Sequence, residues 1–253
     1  MTNYEFCVHF IERLLPDPRG ARILDYGTGR ATIVSLLREK GFDGFGCDVF
    51  YGGESWRDDV PPEYLANGIV RDMPDGRIPF DDETFSVVVS NQVFEHVPDL
   101  RAVLDEIHRV LKPGGILLFL FPDRSIWREG HYGIPFHHRF PRNSRTRLWY
   151  AALCRSLGFG YHTEGKPVWE WSREAGQWID DWTYYRTYDE LRATFAERFT
   201  AFDHHEDYWL ATRFGQGRRY VTSAPRFLKM AVVRKWAGMV ATCRKPGSPL
   251  PAG

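Results

Sequence analysis

Residues 23–32 read ILDYGTGRAT, an apolar run that ends on an aspartate and is followed by two glycines one residue apart. Its apolar start predicts a short strand over residues 22–27 that turns at Gly27, and residues 32–41 have the spacing of a helix that Gly41 closes. Glycines between a strand and a helix let the backbone approach a ligand closely and adopt positive φ angles. A Gly-x-Gly turn is common by itself, so its meaning depends on the chain around it.

Strands and helices alternate on both sides of this turn. The other elements predicted in this part of the chain are helices at residues 3–15 and 99–115 and strands at 44–49, 67–73, 85–91 and 116–121. Strands and helices that alternate from residue 20 to residue 121 require a parallel, doubly wound sheet with right-handed crossovers.

A segment of different composition interrupts the alternation after the fifth strand. An interruption of about 65 residues usually signals function rather than a linker. Behind it the pattern resumes with a helix at 187–199, a strand at 200–208, a helix at 224–236 and a last strand at 237–244. The predicted fold class is therefore α/β, with a doubly wound, mostly parallel seven-stranded sheet and an α-rich insert after the fifth strand.

Composition and charge exclude several classes of protein. Lysine plus arginine equals aspartate plus glutamate at 33 each, so no global field attracts nucleic acid or anionic lipid, and no nucleic-acid partner is predicted. The four cysteines form no Cys-x-x-Cys pair, which indicates reduced thiols in a cytoplasmic protein. The N-terminus lacks the basic region of a signal peptide, and no apolar run approaches the ~20 residues that span a bilayer. We therefore expect a cytoplasmic protein without an integral membrane segment.

The chemistry of the glycine turn separates two kinds of ligand. Dinucleotide enzymes hold a pyrophosphate with Gly-x-Gly-x-x-Gly, but the third glycine would fall at Thr32. Asp25 at the strand end repels phosphate and suits a cationic group, such as the α-amino group of a methionine moiety. In a doubly wound sheet, ligands bind beyond the carboxyl ends of the strands where the winding reverses, and this turn lies there.

At these residues the sequence resembles the class I S-adenosylmethionine-dependent methyltransferases of type 11. The stretches that carry the resemblance are ILDYGTGRA (23–31), GFGCDV (44–49), RDMPDGRIPFDDETFSVVVSNQVFEHVPD (71–99) and LKPGGILLFLFP (111–122). It covers about residues 20–122 and implies a Rossmann-like fold, S-adenosyl-L-methionine as cofactor and methyl transfer as the reaction. Ala31 departs from the family pattern by replacing its last glycine, and Ser86 by replacing an aspartate.

The same resemblance implies the cofactor site. Asp48 would bind the two ribose hydroxyls, Asp72 would contact the adenine amino group, and Met73 would pack on the adenine ring. The predicted cofactor-binding residues are Asp25, Gly27, Gly29, Asp48, Asp72, Met73 and Asn91. The expected parts of the chain are a cofactor-binding half (1–122), a substrate-binding insert or lid (123–186), the completion of the sheet (187–245) and a flexible tail (246–253).

Aromatic and basic residues are concentrated in the insert. Six of the nine tryptophans lie between residues 127 and 182, and six arginines lie between residues 124 and 147. The aromatic rings are explained equally well by a small satellite core and by a platform for a sugar or flat ligand. The arginines suit a substrate phosphate or carboxylate, a solvated loop or a homodimer contact. The residues predicted to bind substrate are Trp127, Arg139, Trp169, Trp182 and Tyr185.

Histidines supply the candidates for proton transfer. His137 and His138 follow the fifth strand and His96 follows the fourth, so all three are expected near the transferred methyl group. The pKa of histidine suits a general base, although a structural hydrogen bond is the alternative for each ring. For His96, a role in shaping the site is favoured over a role as the general base. The histidine and carboxylate spacing matches no metal motif, so no metal is predicted.

The predicted function is S-adenosylmethionine-dependent O-methylation of a carbohydrate hydroxyl, on a glycan, a lipid-linked sugar or a phosphorylated sugar, as in polysaccharide biosynthesis. The substrate partner would be a small molecule or an oligosaccharide. Methylation of a non-sugar natural product, a phenol or an amine, is the alternative. A catalytically silent cofactor-binding protein and a nucleotide-dependent oxidoreductase stay open as other classes, and the missing third glycine counts against the oxidoreductase.

Overall fold

The computed structural model describes residues 1–50, 56–213 and 225–247. The helices are α1 (Asn3–Leu14), α2 (Thr32–Glu39), α3 (Pro62–Ala66), α4 (Leu100–Val110), α5 (Arg145–Ser156), α6 (Val168–Trp182), α7 (Tyr188–Ala196), α8 (Glu206–Arg213) and α9 (Arg226–Ala237). The strands are β1 (Arg22–Tyr26), β2 (Asp43–Asp48), β3 (Val70–Asp72), β4 (Phe85–Asn91), β5 (Leu111–Phe121), β6 (Thr200–His204) and β7 (Met239–Arg244). Short 3₁₀ turns lie at Trp56–Asp59, Phe94–His96 and His137–Arg139.

The strands form one seven-stranded sheet in the order β3-β2-β1-β4-β5-β7-β6. Strands β1 to β5 run parallel, and β7 is antiparallel to both of its neighbours. The predicted fold class, a doubly wound and mostly parallel Rossmann-like sheet, is confirmed. Because the winding proceeds from β1 to β3 and then restarts at β4, the reversal lies between β1 and β4, where such sheets bind ligands.

Alternate residues of the central strands face two apolar layers. Ile23 of β1 pairs in register with Val87 of β4, and both pack against α1 on one face of the sheet. Leu24 pairs with Val88, and both belong to the layer that contains Leu104 of α4 on the other face. Each fully buried side chain of this kind stabilises the fold by roughly 1.5–3 kcal/mol. The two layers explain why β4 carries three consecutive valines, Val87 to Val89, in place of a strict apolar and polar alternation.

Three predicted boundaries were wrong by four or five residues. Helix α4 ends at Val110 instead of residue 115, and β5 begins at Leu111, which pairs with Phe85 before a shift of register. Pro113 accounts for this early end, because proline clashes with a preceding helical turn and keeps the residue before it out of the α conformation. Strand β6 ends at His204 instead of residue 208, since the chain turns there into α8.

The insert between β5 and α7 contains α5 and α6, which pack on each other. Their contact surrounds a small apolar cluster in which Trp171 is fully buried and donates its Nε1–H to the Tyr161 carbonyl at 2.8 Å. The satellite-core interpretation therefore holds for Trp171. The division of the chain into four parts stays a prediction, and residues 248–253 of the expected tail lie outside the described residues. Within the described ranges, no helix is long and apolar enough to cross a membrane.

Candidate active site

The glycine turn lies at the carboxyl end of β1, under the loop that follows β4. Gly27 and Gly29 have φ angles of +76° and +51°. A Cβ on Gly27 would overlap the Val93 side chain, and a Cβ on Gly29 would lie 2.8 Å from the Trp56 ring. Both positions therefore need glycine for backbone conformation and for space. Ala31, which departs from the family pattern, is also left-handed with a φ of 60°.

Asp25 is the buried carboxylate of this turn. It is 2% exposed, and its Oδ2 accepts a hydrogen bond from the Thr28 hydroxyl at 2.8 Å. Burial raises the pKa of Asp25 to about 7, the Thr28 hydrogen bond opposes the rise, and the nearby charge of Asp48 adds to it. A cationic ligand group at this position would offset the cost of burying the charge.

Asp48 ends β2 beside the same turn. Its Oδ2 accepts from the Gly29 backbone N–H at 2.8 Å, and its Oδ1 accepts from the Phe50 N–H at 3.1 Å. These two bonds fix the orientation of the carboxylate at the carboxyl edge of the sheet. Each oxygen keeps a further lone pair, so the carboxylate can still accept hydrogen bonds from a diol.

The neighbouring strand places two more of the predicted cofactor residues. Asp72 is the register partner of Asp48, and its carboxylate accepts from Arg57 Nε at 3.0 and 3.1 Å. Met73 donates its N–H to the Asp48 carbonyl at 2.9 Å, and its side chain is buried in the core. Both residues lie at the expected edge of the sheet, and their contacts with an adenine ring stay predictions.

Asn91 ends β4, the neighbour of β1. Its Oδ1 is buried and, like Ser90 Oγ, makes no hydrogen bond to the described residues. Buried polar atoms without a partner are rare in folded proteins and indicate a place for a ligand or a water molecule. Asp25 and Asn91 lie near the carboxyl ends of the adjacent strands β1 and β4. Their side-chain oxygens suit an ammonium group. This edge therefore fits S-adenosylmethionine, whose methionine moiety carries that group.

A family model described as a methyltransferase domain matches residues 2–199, which are most of the chain. The chain belongs to this family. It contains a class I S-adenosylmethionine-dependent methyltransferase domain.

Individual proteins resemble parts of the methyltransferase. A probable S-adenosylmethionine-dependent methyltransferase of Mycolicibacterium smegmatis is 39% identical over 142 residues, 54% of this chain and 53% of that protein. A ubiquinone biosynthesis O-methyltransferase of Paramagnetospirillum magneticum is 31% identical over 121 residues, 45% of this chain and 46% of that protein. Each match thus spans about half of the relative's length.

A solved structure shows the same fold along nearly the whole chain. It is an S-adenosylmethionine-dependent methyltransferase from Mesorhizobium loti, with a TM-score of 0.55 and 16% identity. The match covers 94% of this chain and 96% of that chain. At this identity the likeness establishes the fold alone.

The methyltransferase also has a polar cluster that sequence reasoning missed, at the carboxyl end of β4. One ligand-type atom from each of Glu95, His96 and His131 lies within 4.8 Å of the others. His96 was predicted from the sequence as a site residue, but Glu95 was not. No pattern in the neighbouring sequence shows that the insert brings His131 next to the loop after β4. The adjacent Glu95–His96 pair and the closely spaced Glu129 and His131 were the signals available.

The two glutamates of this cluster differ in their partners. Glu129 is fully buried and accepts from His131 Nδ1 at 2.6 Å, from the Tyr132 N–H at 2.7 Å and from the Tyr185 hydroxyl at 3.1 Å. Burial alone would raise the pKa of Glu129, but the hydrogen bond and charge of His131 outweigh it and lower the pKa to about 2. Both oxygens of Glu95 are buried without a partner in the described chain, and burial raises its pKa to about 7.

The two adjacent histidines of the insert occupy different environments. His137 is fully buried, neither ring nitrogen has a partner in the described chain, and burial together with the charge of Arg147 lowers its pKa to about 3. His138 bonds through Nε2 to the Arg124 carbonyl at 3.0 Å, and its ring lies 4.6 Å from that of Tyr185. Burial lowers the pKa of His138 to about 4. Both rings are therefore neutral near pH 7.

Of the five residues predicted to bind substrate, three are exposed tryptophans. Trp127 is 48% exposed and lies 5.9 Å from the Trp236 ring. Trp169 is 41% exposed and meets Trp149 edge-on at 4.5 Å, on the outer face of the α5–α6 pair. Trp182 is equally exposed, at the end of α6. The first two belong to separate ring pairs, so these positions do not form one platform.

The other two predicted residues are tied to neighbouring groups. Arg139 donates through Nη2 to the Ser125 carbonyl and lies over the Phe136 ring. Tyr185 is held by Glu129 and packs on His138, so it belongs to the polar cluster and to the wall of the adjoining cavity. Of the five, Tyr185 alone is among the described residues that line this cavity. The substrate roles of all five stay predictions.

This cavity has a volume of about 430 Å³ and lies between the insert and the segment that joins α6 to α7. The described residues that line it are Arg124, His138, Phe140, Pro141, Arg142, Arg147, Ile179, Asp180, Thr183, Tyr184, Tyr185 and Arg186. Arg186 fixes one wall, because its guanidinium donates to the carbonyls of Val97 at 2.7 Å and Pro98 at 2.8 Å. The Tyr184 N–H also donates to the Glu95 carbonyl at 2.6 Å. The cavity thus adjoins the loop that covers the glycine turn.

Proposed function

We propose that the acceptor is an anionic hydroxyl compound that binds in this cavity, with a phosphorylated or lipid-linked sugar as the leading class. The supporting observation is the charge of the lining. Its described cationic side chains are Arg124, Arg142, Arg147 and Arg186, and its described acidic side chain is Asp180. A phosphate or carboxylate at this place gains strong, charge-assisted hydrogen bonds.

Arg124 is the arginine we assign to docking the anion. Arg147 and Arg142 both face Asp180, and Arg186 is committed to backbone carbonyls. The Arg124 guanidinium is exposed and makes no hydrogen bond or ion pair within the described ranges. It therefore can bind an incoming anion without breaking an existing contact.

The size and walls of the cavity suit a monosaccharide with a charged group. Its volume of about 430 Å³ falls in the ordinary range for small-molecule sites. Phe140, Tyr184 and Tyr185 supply flat apolar surface on which the C–H face of a sugar ring packs. In this proposal Phe140 and Tyr184, with the predicted Tyr185, replace the three tryptophans that were predicted to bind substrate.

The reaction is an in-line displacement at the methyl carbon. The donor supplies a methyl group already activated by sulfur, so the acceptor oxygen forms a bond to carbon while the carbon–sulfur bond breaks and leaves its electron pair on sulfur. Asp25 and Asp48 hold the donor, and the insert aligns the acceptor and excludes water. His138 takes the hydroxyl proton on Nδ1, a buried atom without a partner in the described chain, since its Nε2–H donates to the Arg124 carbonyl.

A flat phenol is the second candidate acceptor. The relative from Paramagnetospirillum magneticum is named for ubiquinone biosynthesis and for O-methylation, and the aromatic walls of the cavity suit a flat ring as well as a sugar. The two candidates differ in their dependence on Arg124, because a neutral phenol gains no ion pair there.

Methyl transfer from labelled donor to matched acceptors tests the proposal. The panel contains sugar phosphates, the same sugars without phosphate, and neutral phenols. We expect transfer to a phosphorylated sugar, with KM raised about 10–100-fold in Arg124→Met and donor affinity unchanged. Arg145→Met is the matched control, because Arg145 is an exposed arginine of the insert outside the described cavity lining.

Two results would count against this acceptor. Transfer to neutral phenols with no effect of Arg124→Met would favour the second candidate. Equal losses in Arg124→Met and Arg145→Met would show that the arginines act through general charge and not through the cavity.

A further inference from the structure

Three side chains with metal-ligating atoms converge where the loop after β4 meets the insert. One such atom of Glu95, His96 and His131 lies within 4.8 Å of the others, and the two imidazole centroids are 4.9 Å apart. The Trp178 ring borders the group, 4.6 Å from that of His131. His131 keeps a side-chain exposure of 28%, so solvent reaches the cluster. Three convergent ligands with an entry path are the minimum for a metal site.

The hydrogen bonds of the two imidazoles decide which nitrogen of each is available. His96 Nδ1 lies 2.7 Å from the Trp182 carbonyl, and His131 Nδ1 lies 2.6 Å from a Glu129 carboxylate oxygen. Both oxygens accept, so both Nδ1 atoms must carry the proton. In the neutral rings Nε2 therefore holds the lone pair. Histidines that bind metals nearly always donate their other N–H to a carboxylate or a backbone carbonyl, as these two do.

Glu95 supplies the negative charge at the centre of the cluster. Its side chain is 1% exposed, and neither carboxylate oxygen has a hydrogen-bond partner among the described residues. An unpartnered buried carboxylate is costly unless a cation balances it. The carboxylate of Glu129, which holds His131, brings a second negative charge to the same place. Two carboxylates, with two imidazoles that each turn Nε2 away from their hydrogen-bonded side, make a site that favours a divalent cation.

We propose that Glu95, His96 and His131 bind one divalent transition-metal ion, oriented by Glu129. Two imidazoles and one carboxylate suit Zn²⁺ and related ions better than Mg²⁺, which prefers oxygen ligands. Three protein ligands leave a fourth position open, as in catalytic zinc sites. Because residues 95–96 lie in the loop after β4 and residue 131 lies in the insert, the set has no local spacing motif, and no metal was predicted from the sequence.

The open position gives the ion a part in methyl transfer, and this part rests on the proposed function. A bound ion lowers the pKa of a hydroxyl that coordinates it. His138 is a weak base in its buried position. It therefore accepts a proton more readily from a hydroxyl whose pKa the ion has lowered. In that step the hydroxyl proton goes to His138, the oxygen–carbon bond forms and the carbon–sulfur bond breaks. Tyr185 links the two groups, since it contacts His138 and donates to Glu129.

Calorimetric titration of Zn²⁺ into chelator-treated wild-type protein, without acceptor, tests the site. We expect one equivalent to bind, with affinity lowered at least 100-fold in Glu95→Gln and in His131→Gln. Glu129→Gln should weaken binding about 10–100-fold, because it removes the group that orients His131. His162→Ala is the control, since His162 is an exposed histidine of the same insert outside the cluster. The four cysteines are all buried and do not compete as ligands.

A second measurement needs no variant. Co²⁺ bound by two imidazoles and a carboxylate in a low-coordinate site has strong visible absorption, so the wild-type protein should turn coloured with one equivalent of Co²⁺ and lose the colour when Zn²⁺ is added. Folding of each variant is checked by its melting curve and by its affinity for S-adenosylhomocysteine.

The proposal is overturned if the wild type binds neither ion, or if His131→Gln binds Zn²⁺ as tightly as wild type does. Since the titration contains no acceptor, its failure is separate from failure of the acceptor assay with Arg124→Met.

Discussion

Asp25→Asn should weaken cofactor binding in a way that depends on pH. The wild-type carboxylate is 2% exposed and its pKa is raised to about 7. Near pH 8 it is ionised and forms a charge-assisted hydrogen bond with the ammonium group of the cofactor, worth about 1.5–3 kcal/mol. The asparagine keeps the shape but not the charge, so the dissociation constant of S-adenosylhomocysteine should rise roughly 10–150-fold at that pH.

At lower pH the difference should shrink. Near pH 6 most of the wild-type Asp25 is protonated before the cofactor arrives, and binding must first remove that proton. The wild-type affinity should therefore fall about tenfold between pH 8 and pH 6, whereas the asparagine variant should bind equally at both. Calorimetry with S-adenosylhomocysteine measures both effects, and Asp43→Asn at the start of β2 is the control at the opposite edge of the sheet.

The same carboxyl has a predictable effect on stability. Its pKa is higher in the folded protein than the value of 3.8 of a free side chain. The folded state therefore binds the proton more tightly, and the stability this contributes is present below about pH 4 and lost as the pH rises to about 7. A difference of about three pKa units is ~4 kcal/mol, so without cofactor Asp25→Asn should be the more stable protein near pH 8 in urea unfolding. Wild-type affinity that is constant between pH 6 and pH 8, or an asparagine variant that binds as tightly near pH 8, would refute this reasoning.

Changes at four further positions test other parts of the structure. Gly27→Ala should abolish S-adenosylhomocysteine binding, because its Cβ would overlap Val93 and φ is +76°; calorimetry checks this, and Val93→Ala in addition should restore part of the affinity. Arg186→Met should lower the free energy of unfolding in urea by about 1.5–3 kcal/mol, since the partly buried Val97 carbonyl loses its charged donor, and Arg186→Lys should lose less. His138→Gln should reduce kcat about 10²–10⁴-fold at unchanged donor affinity. In contrast, His137→Phe should mainly affect stability. The folded pKa of His137 is about 3, below its unfolded value, so the wild type loses stability as the pH falls below about 6.5. The variant should lose less stability than the wild type in melting curves near pH 4.

The sheet could be predicted because each of its strands carries its own signal. The run from Phe85 to Asn91 contains three consecutive valines, as suits a strand covered on both faces, and the glycines at 27 and 29 meet a backbone requirement that is local in sequence. Those signals depend on residues a few positions apart. The parallel, doubly wound arrangement then followed from the rules for alternating strands and helices.

The end of α4 shows where such signals compete. The apolar spacing of a helix continues to Leu111, but Pro113 removes a backbone donor and restricts the residue before it. The helix was predicted to end at residue 115, at the two glycines that follow the proline. In the structure its influence begins earlier, and Leu111 already pairs with Phe85 of the neighbouring strand.

The candidate site beyond the cofactor could not be predicted in the same way. Glu95 and His131 lie 36 positions apart in the printed sequence and meet because the insert folds back on the loop after β4. Likewise, composition alone did not separate Trp171, which is fully buried, from Trp169, which is 41% exposed. Both outcomes depend on how α5 and α6 pack, which no local pattern of the chain encodes.

Calorimetric titration of S-adenosylhomocysteine into the wild-type protein and into Asp48→Asn tests the central claim most directly, with NAD titrated in parallel. Asp48 is held by the N–H groups of Gly29 and Phe50 and is available to a ribose diol. We predict one bound S-adenosylhomocysteine in the wild type, no binding of NAD, and a loss of about 2–3 kcal/mol in the folded variant, or roughly 30–150-fold in affinity. Binding of NAD in place of S-adenosylhomocysteine, or equal S-adenosylhomocysteine affinity in the wild type and in the folded variant, would contradict the assignment of this edge of the sheet as the cofactor site.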